Sequence, residues 1–297
     1  MGLKLKKRIR NLCAGVVMFF FAISFVLPIL ITFTNSFMSE PEIQWNYGTL
    51  FGTSSEGTTV IRSDSVHLQL IPESVTLSQY KQILLDGPEY LYKFWNSVIM
   101  VVPIAVLQVA IAVFAAYGFS KLKGKAGRIL PFVYMVLMVM PYQVLMVSNY
   151  IVLDKINLVD TIWAIILPGM FAPYSTYILT KRMKKIPKSY MEAAKIDGAG
   201  EWALFTKICV PLCASTIMTV LMLVFFDYWN MVEQPIALLS DSSKQPLSVF
   251  LSKINNEKIG VSFAAGVIYM IYPLLLFLYG EKNLESEIAS TGGLKDI

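Results

Sequence analysis

Six runs of apolar residues, each about twenty long, divide the chain: roughly residues 11–33, 97–119, 129–150, 161–180, 210–231 and 260–280. The hydrocarbon core of a bilayer is about 30 Å thick and a helix rises 1.5 Å per residue, so about 20 residues span it. The pattern therefore predicts an all-α integral membrane protein with six transmembrane helices. Lys4, Lys6, Lys7, Arg8 and Arg10 precede the first run. A basic start before an apolar run also marks signal peptides. This run is longer than their apolar region and lacks a small-x-small cleavage site, so it reads as an uncleaved first span. Pro28, Pro103, Pro141, Pro168, Pro173 and Pro273 fall inside the runs. Spanning helices tolerate proline where neighbouring groups satisfy the freed carbonyls.

The polar stretches differ in character. Residues 34–96 are the longest, and Gly48, Gly52 and Gly57 make their first half turn-rich. Further on, Leu77, Tyr80 and Leu84 recur at helical spacing, with Thr76 or Ser78 as a cap and Asp86-Gly87 as a stop. That predicts a short amphipathic helix near the membrane surface. The other informative stretch is Ile186–Pro211, IPKSYMEAAKIDGAGEWALFTKICVP. Pro187 suits a first helical turn, where its missing N–H costs nothing. Glu192 lies near the helix N-terminus, where a carboxylate complements the dipole. Met191, Ala193, Ala194 and Ile196 form a compact face. Asp197-Gly198 ends the helix, because glycine accepts the left-handed turn. A second helix begins near Glu201 and runs through Trp202, Phe205 and Ile208 into Pro211 and the fifth apolar run. Such an ordered hairpin suits either insertion into a partner's cleft or packing on its own bundle.

Composition agrees with lipid as the main solvent: 56% of the 297 residues are hydrophobic and 15% charged, against about 25% charged in soluble domains. The net charge of +5 fits basic cytoplasmic loops rather than nucleic-acid binding. Charge also sets the orientation. If the N-terminus is cytoplasmic, 18 of the 25 Lys and Arg fall on the inner side, in residues 1–10, between runs two and three, in 181–209 and in the tail. The positive-inside rule thus places both termini and Ile186–Pro211 in the cytoplasm. The expected organisation is a cytoplasmic N-terminus (1–10), a first span (11–33), an extracytoplasmic loop (34–96), a transmembrane core of five spans (97–281) containing the 181–209 cytoplasmic loop, and a cytoplasmic tail (282–297).

Candidate chemistry is sparse. Cys13, Cys209 and Cys213 have no metal-ligand spacing, and Cys209 and Cys213 read as small packing residues. One histidine, His67, lies in a polar loop, and no Ser/His/Asp set is apparent. Neither an enzyme nor a metal site is expected. Asp227 is the sole Asp, Glu, Lys or Arg within the six runs. An intramembrane charge costs roughly 2.5–3.5 kcal/mol at the bilayer centre and is a functional candidate by default. Asp227 also sits near the outer end of its run beside Tyr228 and Trp229, where interfacial anchoring explains the grouping equally well. A polar solute crossing the membrane needs aromatic faces and amide or hydroxyl partners. The candidates within spans are Tyr117, Tyr134, Tyr142, Gln143, Asn149, Tyr174, Tyr177, Tyr228, Trp229 and Asn230, together with Asp227.

Glu192-Ala193-Ala194, Asp197-Gly198-Ala199, Phe205, Ile208 and Pro211 resemble the EAA loop of permease subunits of ATP-binding-cassette (ABC) importers. Asn35-Ser36-Phe37, Phe94-Trp95-Asn96-Ser97, Met140-Pro141, Ile186-Pro187, Tyr228-Trp229-Asn230 and Gly292-Gly293-Leu294-Lys295 resemble its carbohydrate branch, the maltose-type permeases. The outer loop 38–93 is longer and more polar than in that family, and the tail matches loosely.

The resemblance implies the six-helix type I importer (MetI-like) architecture in a bacterial cell membrane, with a sugar path among those aromatic and polar span residues. It implies a second permease subunit, two ATPase subunits docked on the EAA loops, and an extracytoplasmic sugar-binding protein. ATP and Mg²⁺ would be bound by the ATPase subunits, since this chain has no GxxxxGK[ST] phosphate loop. Of that loop, Glu192, Ala193, Ala194, Asp197, Gly198, Ala199, Phe205 and Pro211 would carry the docking. The alternatives are an importer permease for a non-sugar solute and an ion-coupled secondary transporter. The latter needs a coupling-ion site for which only Asp227 is available. An intramembrane enzyme would need a convergent set of acids and bases that one Asp does not supply.

Overall fold

A computed structural model describes residues 2–51, 69, 71–253 and 259–292, with side chains placed for most of them. Gly52, Gly57, His67 and the Gly293-Leu294-Lys295 match lie outside the described residues. Described secondary structure is helical: α1 (Gly2–Asn35), α2 (Glu40–Phe51), α3 (Ser78–Lys81, continued by a π turn, Gln82–Asp86), α4 (Glu89–Lys121), α5 (Gly124–Val139), α6 (Tyr142–Lys155), α7 (Trp163–Gly169) and α8 (Pro173–Lys184). Then follow α9 (Lys188–Ile196), α10 (Glu201–Leu204), a π turn (Phe205–Cys209), α11 (Val210–Leu212), α12 (Ala214–Trp229), α13 (Glu233–Leu238), α14 (Leu247–Ser252) and α15 (Ile259–Gly292).

Three of the helices are long and apolar enough to cross a membrane: Asn11–Asn35 of α1, α4, and Ile259–Leu284 of α15. Two bent pairs raise the number to five, α5 with α6 (95°) and Glu201–Leu212 with α12 (71°). Among the described residues three to five spans are thus found, and the expected six are not all seen. Run 129–150 breaks at Met140-Pro141, because proline forces the preceding residue out of the helical region; Met140 has φ −67° and ψ 124°. Run 161–180 divides into α7 and α8, of 7 and 12 residues. Its break is the extended Ala172 (φ −128°, ψ 124°) ahead of Pro173. Pro28, Pro103 and Pro273 stay inside α1, α4 and α15.

The described chain forms two compact units, residues 1–90 with 253–271, and residues 91–252 with 272–297. In the first, Met38, Ile43, Tyr47 and Ile259 are buried together, with Phe263 packed against them. The Asn35 amide donates to the Tyr47 hydroxyl (2.6 Å) and the Ser36 and Tyr80 hydroxyls meet at 2.7 Å. At Gly260 a Cβ would lie 2.6 Å from a Glu40 carboxylate oxygen and 2.9 Å from Ile43 Cδ1, so a larger residue would have to push those side-chain ends aside. As far as Phe51, the stretch expected to be turn-rich is instead helix α2, and the rest of it lies outside the described residues. Glu40 and Glu42 in its first turn complement the dipole and outweigh the cost of Gly48. The expected short helix is present at Ser78, where the Ser78 amide donates to Thr76 Oγ1 (3.1 Å), and its π turn ends at Asp86, before Gly87.

In the second unit, α4 packs against α8 through a buried Gln108–Ser175 hydrogen bond (2.7 Å). An aromatic cluster of Phe94, Phe225, Trp229 and Tyr272 joins α4, α12 and α15, with ring centroids 4.6–6.1 Å apart. Gly169 lets α7 approach closely, because a Cβ there would lie 3.1 Å from Ile104 and 3.2 Å from the Tyr228 ring.

Glu42 ties the segment before α3 to α2. Its carboxylate accepts from the Glu73 amide (2.7 Å), the Ser74 amide (3.2 Å) and the Ser74 hydroxyl (3.0 Å). Partial burial pushes its pKa up, but these hydrogen bonds outweigh burial and hold it below the ordinary carboxylate value. A carboxylate depressed in the folded state stabilises above its unfolded pKa, and that contribution is lost as pH falls through the folded pKa. Protection of the Ser74 amide against hydrogen exchange is therefore expected to fall on acidification through the carboxylate range. Glu42→Gln should remove that pH dependence.

Candidate functional site

Two regions carry the sequence candidates. In the first, Pro187 stands at the N-cap of α9, with φ −59° and ψ 134°. The helix ends in a double hydrogen bond: the Gly198 amide donates to the Lys195 carbonyl (3.1 Å) and the Ala199 amide to the Ala194 carbonyl (2.9 Å). Gly198 has φ +83°, the left-handed conformation that this Schellman closure needs. No residue of α9 is buried. Glu192, Ala193, Asp197, Gly198 and Pro211 are exposed, and Ala194 and Ala199 are half-buried. Ile196 is 86% exposed and Trp202 67%, with Tyr190 also well exposed.

The following segment is anchored. Phe205 is buried, stacked on Phe114 (5.0 Å between centroids) and tilted against Tyr117 (4.9 Å), both of α4. Trp202 stacks on the same Phe114 at 6.4 Å. Such aromatic pairs contribute about 0.5–1.5 kcal/mol beyond their area burial. The Tyr117 hydroxyl donates to the Glu201 carboxylate (2.9 Å). Lys121 pairs with the same carboxylate, and Lys195 of α9 lies 3.5 Å from it. Glu201 thus gathers α4, α9 and α10 on one carboxylate. The sequence marked Glu201 only as a helix start and pointed to neither Phe114 nor Lys121. Tyr117, a sugar candidate by sequence, belongs to this anchor.

The second region is a recess of about 740 Å³ where α12 ends and α13 begins, with Tyr142 from the start of α6. Tyr142, Phe226, Asp227, Tyr228, Asn230 and Glu233 are among its lining residues. The Gln143 amide donates to Glu233 (2.9 Å) from beside it. Five sequence candidates therefore converge, Tyr142, Gln143, Asp227, Tyr228 and Asn230. They come together because the Pro141 break ends one helix and starts the next at Tyr142. Trp229 faces away: it is 2% exposed, inside the aromatic cluster. Tyr134 packs edge-on against Phe119 (5.2 Å), Tyr177 lies under Lys181 Nζ (5.2 Å), and Asn149 and Tyr174 are not among the lining residues. Glu233, just outside the apolar run, was missed because a residue beyond a run reads as ordinary loop charge.

Beyond α13 the chain is fastened to the segment between α6 and α7. Lys244 Nζ donates to the Asp160 carbonyl (2.8 Å) and carboxylate (3.0 Å), and the Asp241 amide donates to Asp160 (3.1 Å). Those bonds, the Asp241 amide first, hold the Asp160 carboxyl below its ordinary pKa.

The family described as "Binding-protein-dependent transport system inner membrane component" matches residues 108–285. The chain is 32% identical over 189 residues to the polygalacturonan/rhamnogalacturonan transport system permease YtcP of Bacillus subtilis, covering 62% of this chain and 64% of that protein. It is 26% identical to the arabinooligosaccharides transport system permease AraQ of Halalkalibacterium halodurans, covering 80% and 86%. Among solved structures it resembles a bacterial ABC transporter involved in import of the acidic polysaccharide alginate. That likeness has a TM-score of 0.77 and 20% identity, over 93% of this chain and 97% of that one, and shows a shared fold.

Phe205→Ala should cost about 3–5 kcal/mol, the usual result of truncating a buried phenylalanine. The expected readout is a lowered midpoint of thermal unfolding in detergent, with hydrogen exchange accelerating first in α10.

Proposed function

This chain belongs to the family of binding-protein-dependent transport system inner membrane components, and we propose that it is a permease subunit of an ATP-driven carbohydrate importer. It pairs with a second permease subunit to form the path through the membrane. Two ATPase subunits, which bind the ATP and Mg²⁺, dock beneath, and an extracytoplasmic binding protein delivers the sugar. The carbohydrate class rests on the transport functions of relatives such as YtcP and AraQ. It rests also on the aromatic, amide and carboxylate lining of the recess beside Asp227. Both termini lie in the cytoplasm in this reading, and the broken runs complete six crossings.

One observation carries the coupling role: α9 has no buried residue, yet its C-terminus is closed by a Schellman motif and its successor is clamped to α4. An isolated nine-residue helix is marginal in water. An ordered, unburied helix with Tyr190 and Ile196 exposed beside a small Ala193-Ala194 face is suited to a partner's groove. The clamp then converts movement of that partner into rigid-body movement of the spans. Glu192, Ala193, Ala194, Asp197, Gly198 and Ala199 form the docking element, Phe205 its anchor and Pro211 the entry to α12.

Two outcomes test this reading. Ala194→Arg and Gly198→Pro should leave the chain inserted but reduce co-purification of the ATPase, and sugar-stimulated ATP hydrolysis, by tenfold or more; normal values for both would refute docking. A thiol at Ile196→Cys should react with an impermeant reagent from the cytoplasmic side only, and labelling from outside would invert the orientation.

A further inference from the structure

We propose that the recess bounded by Asp227 and Glu233 is a saccharide subsite that accepts uncharged sugars and rejects uronates; the inference rests on the carbohydrate-importer reading above. Two carboxylates, Asp227 and Glu233, line it, and no Lys or Arg is among the lining residues. Among the described residues, no hydrogen bond or ion pair ties up Asp227, and it is exposed. Both of its oxygens can accept hydroxyl protons, as a carboxylate does from neighbouring hydroxyls of a pyranose or furanose ring. Glu233 is held through one oxygen by the Gln143 amide (2.9 Å), which aims the group and leaves its second oxygen available. The Tyr142 hydroxyl is buried with Asn149 beside it, and its remaining hydrogen-bonding capacity suits a sugar hydroxyl. The rings of Tyr142, Phe226 and Tyr228 offer apolar faces for sugar C–H groups.

The charge pattern sets the selectivity. A sugar hydroxyl is a donor and matches a carboxylate. A uronate carboxylate is an acceptor with a negative charge, which meets like charges here and no guanidinium or ammonium to offset them. YtcP and the alginate importer are transporters of acidic polysaccharides, and this recess has the opposite electrostatic sense from a uronate site.

The test uses the whole complex, purified in detergent with its partner subunits and without binding protein. Saturation-transfer NMR reports contact with galactotriose or trigalacturonate at equal concentration. Galactotriose should give transfer at least tenfold stronger than trigalacturonate. Asp227→Asn should weaken galactotriose transfer several-fold, and Asp227→Asn with Glu233→Gln should bring the two probes to within about twofold. Equal transfer from both probes in the unaltered complex, or an unchanged ratio in the double variant, would overturn the inference. So would an absence of galactotriose transfer in a complex whose ATP hydrolysis still responds to sugar-loaded binding protein, and that result leaves the importer reading standing. If no sugar-loaded binding protein stimulates hydrolysis, the importer reading itself fails, and the inference with it.

Discussion

In a hydrocarbon medium every backbone N–H and C=O must find a partner within the protein, and non-helical backbone is tolerated only where protein buries it or it lines a cavity. That constraint gives the breaks in this chain their meaning. The chain leaves helical geometry at Met140-Pro141, at Ala172 and at Asn230. Two of those breaks border the same recess. The residues that open it are therefore the ones that follow a proline or end a helix. Asp227, an expensive residue in lipid, sits one turn from such an end.

The other region obeys a different rule. On the side read as cytoplasmic, water satisfies exposed backbone, so α9 can stand off the body without burying a residue. Its order comes from local chemistry, an N-cap proline and a C-terminal glycine. Its attachment comes from Phe205 on Phe114 and Tyr117, and from Glu201 among Tyr117, Lys121 and Lys195. The stiff part of this connection is aromatic and buried. The ionic part is exposed and subject to screening by salt.

Local signals were legible in the sequence. Asp197-Gly198 marked a helix end that the structure closes with a left-handed glycine, Glu201 marked the next start, and Asp86-Gly87 marked the end of the π turn. Apolar length marked α1, α4 and α15 as spans. Tertiary facts were not legible. Hydropathy counts composition, so it read 129–150 and 161–180 as continuous although proline divides them. Neighbours in sequence part company on a helix, which is why Trp229 enters the aromatic core while Asp227 and Asn230 line the recess. Helix α2 was hidden by Gly48, whose cost its acidic first turn and buried Ile43 and Tyr47 overcome.

The π turn at Phe205–Cys209 fixes the phase of what lies on either side. A π turn arises from one additional residue in an α-helix, and each helical residue advances the side chain by about 100°. Deleting any one residue from this five-residue turn would convert it to ordinary α-helix. Every side chain on one side of it would rotate by that angle against those on the other. Phe205 would then lose its stack or Pro211 and Cys213 their place before α12. The two flanks thus share a reading frame in space, which an insertion or deletion here would break.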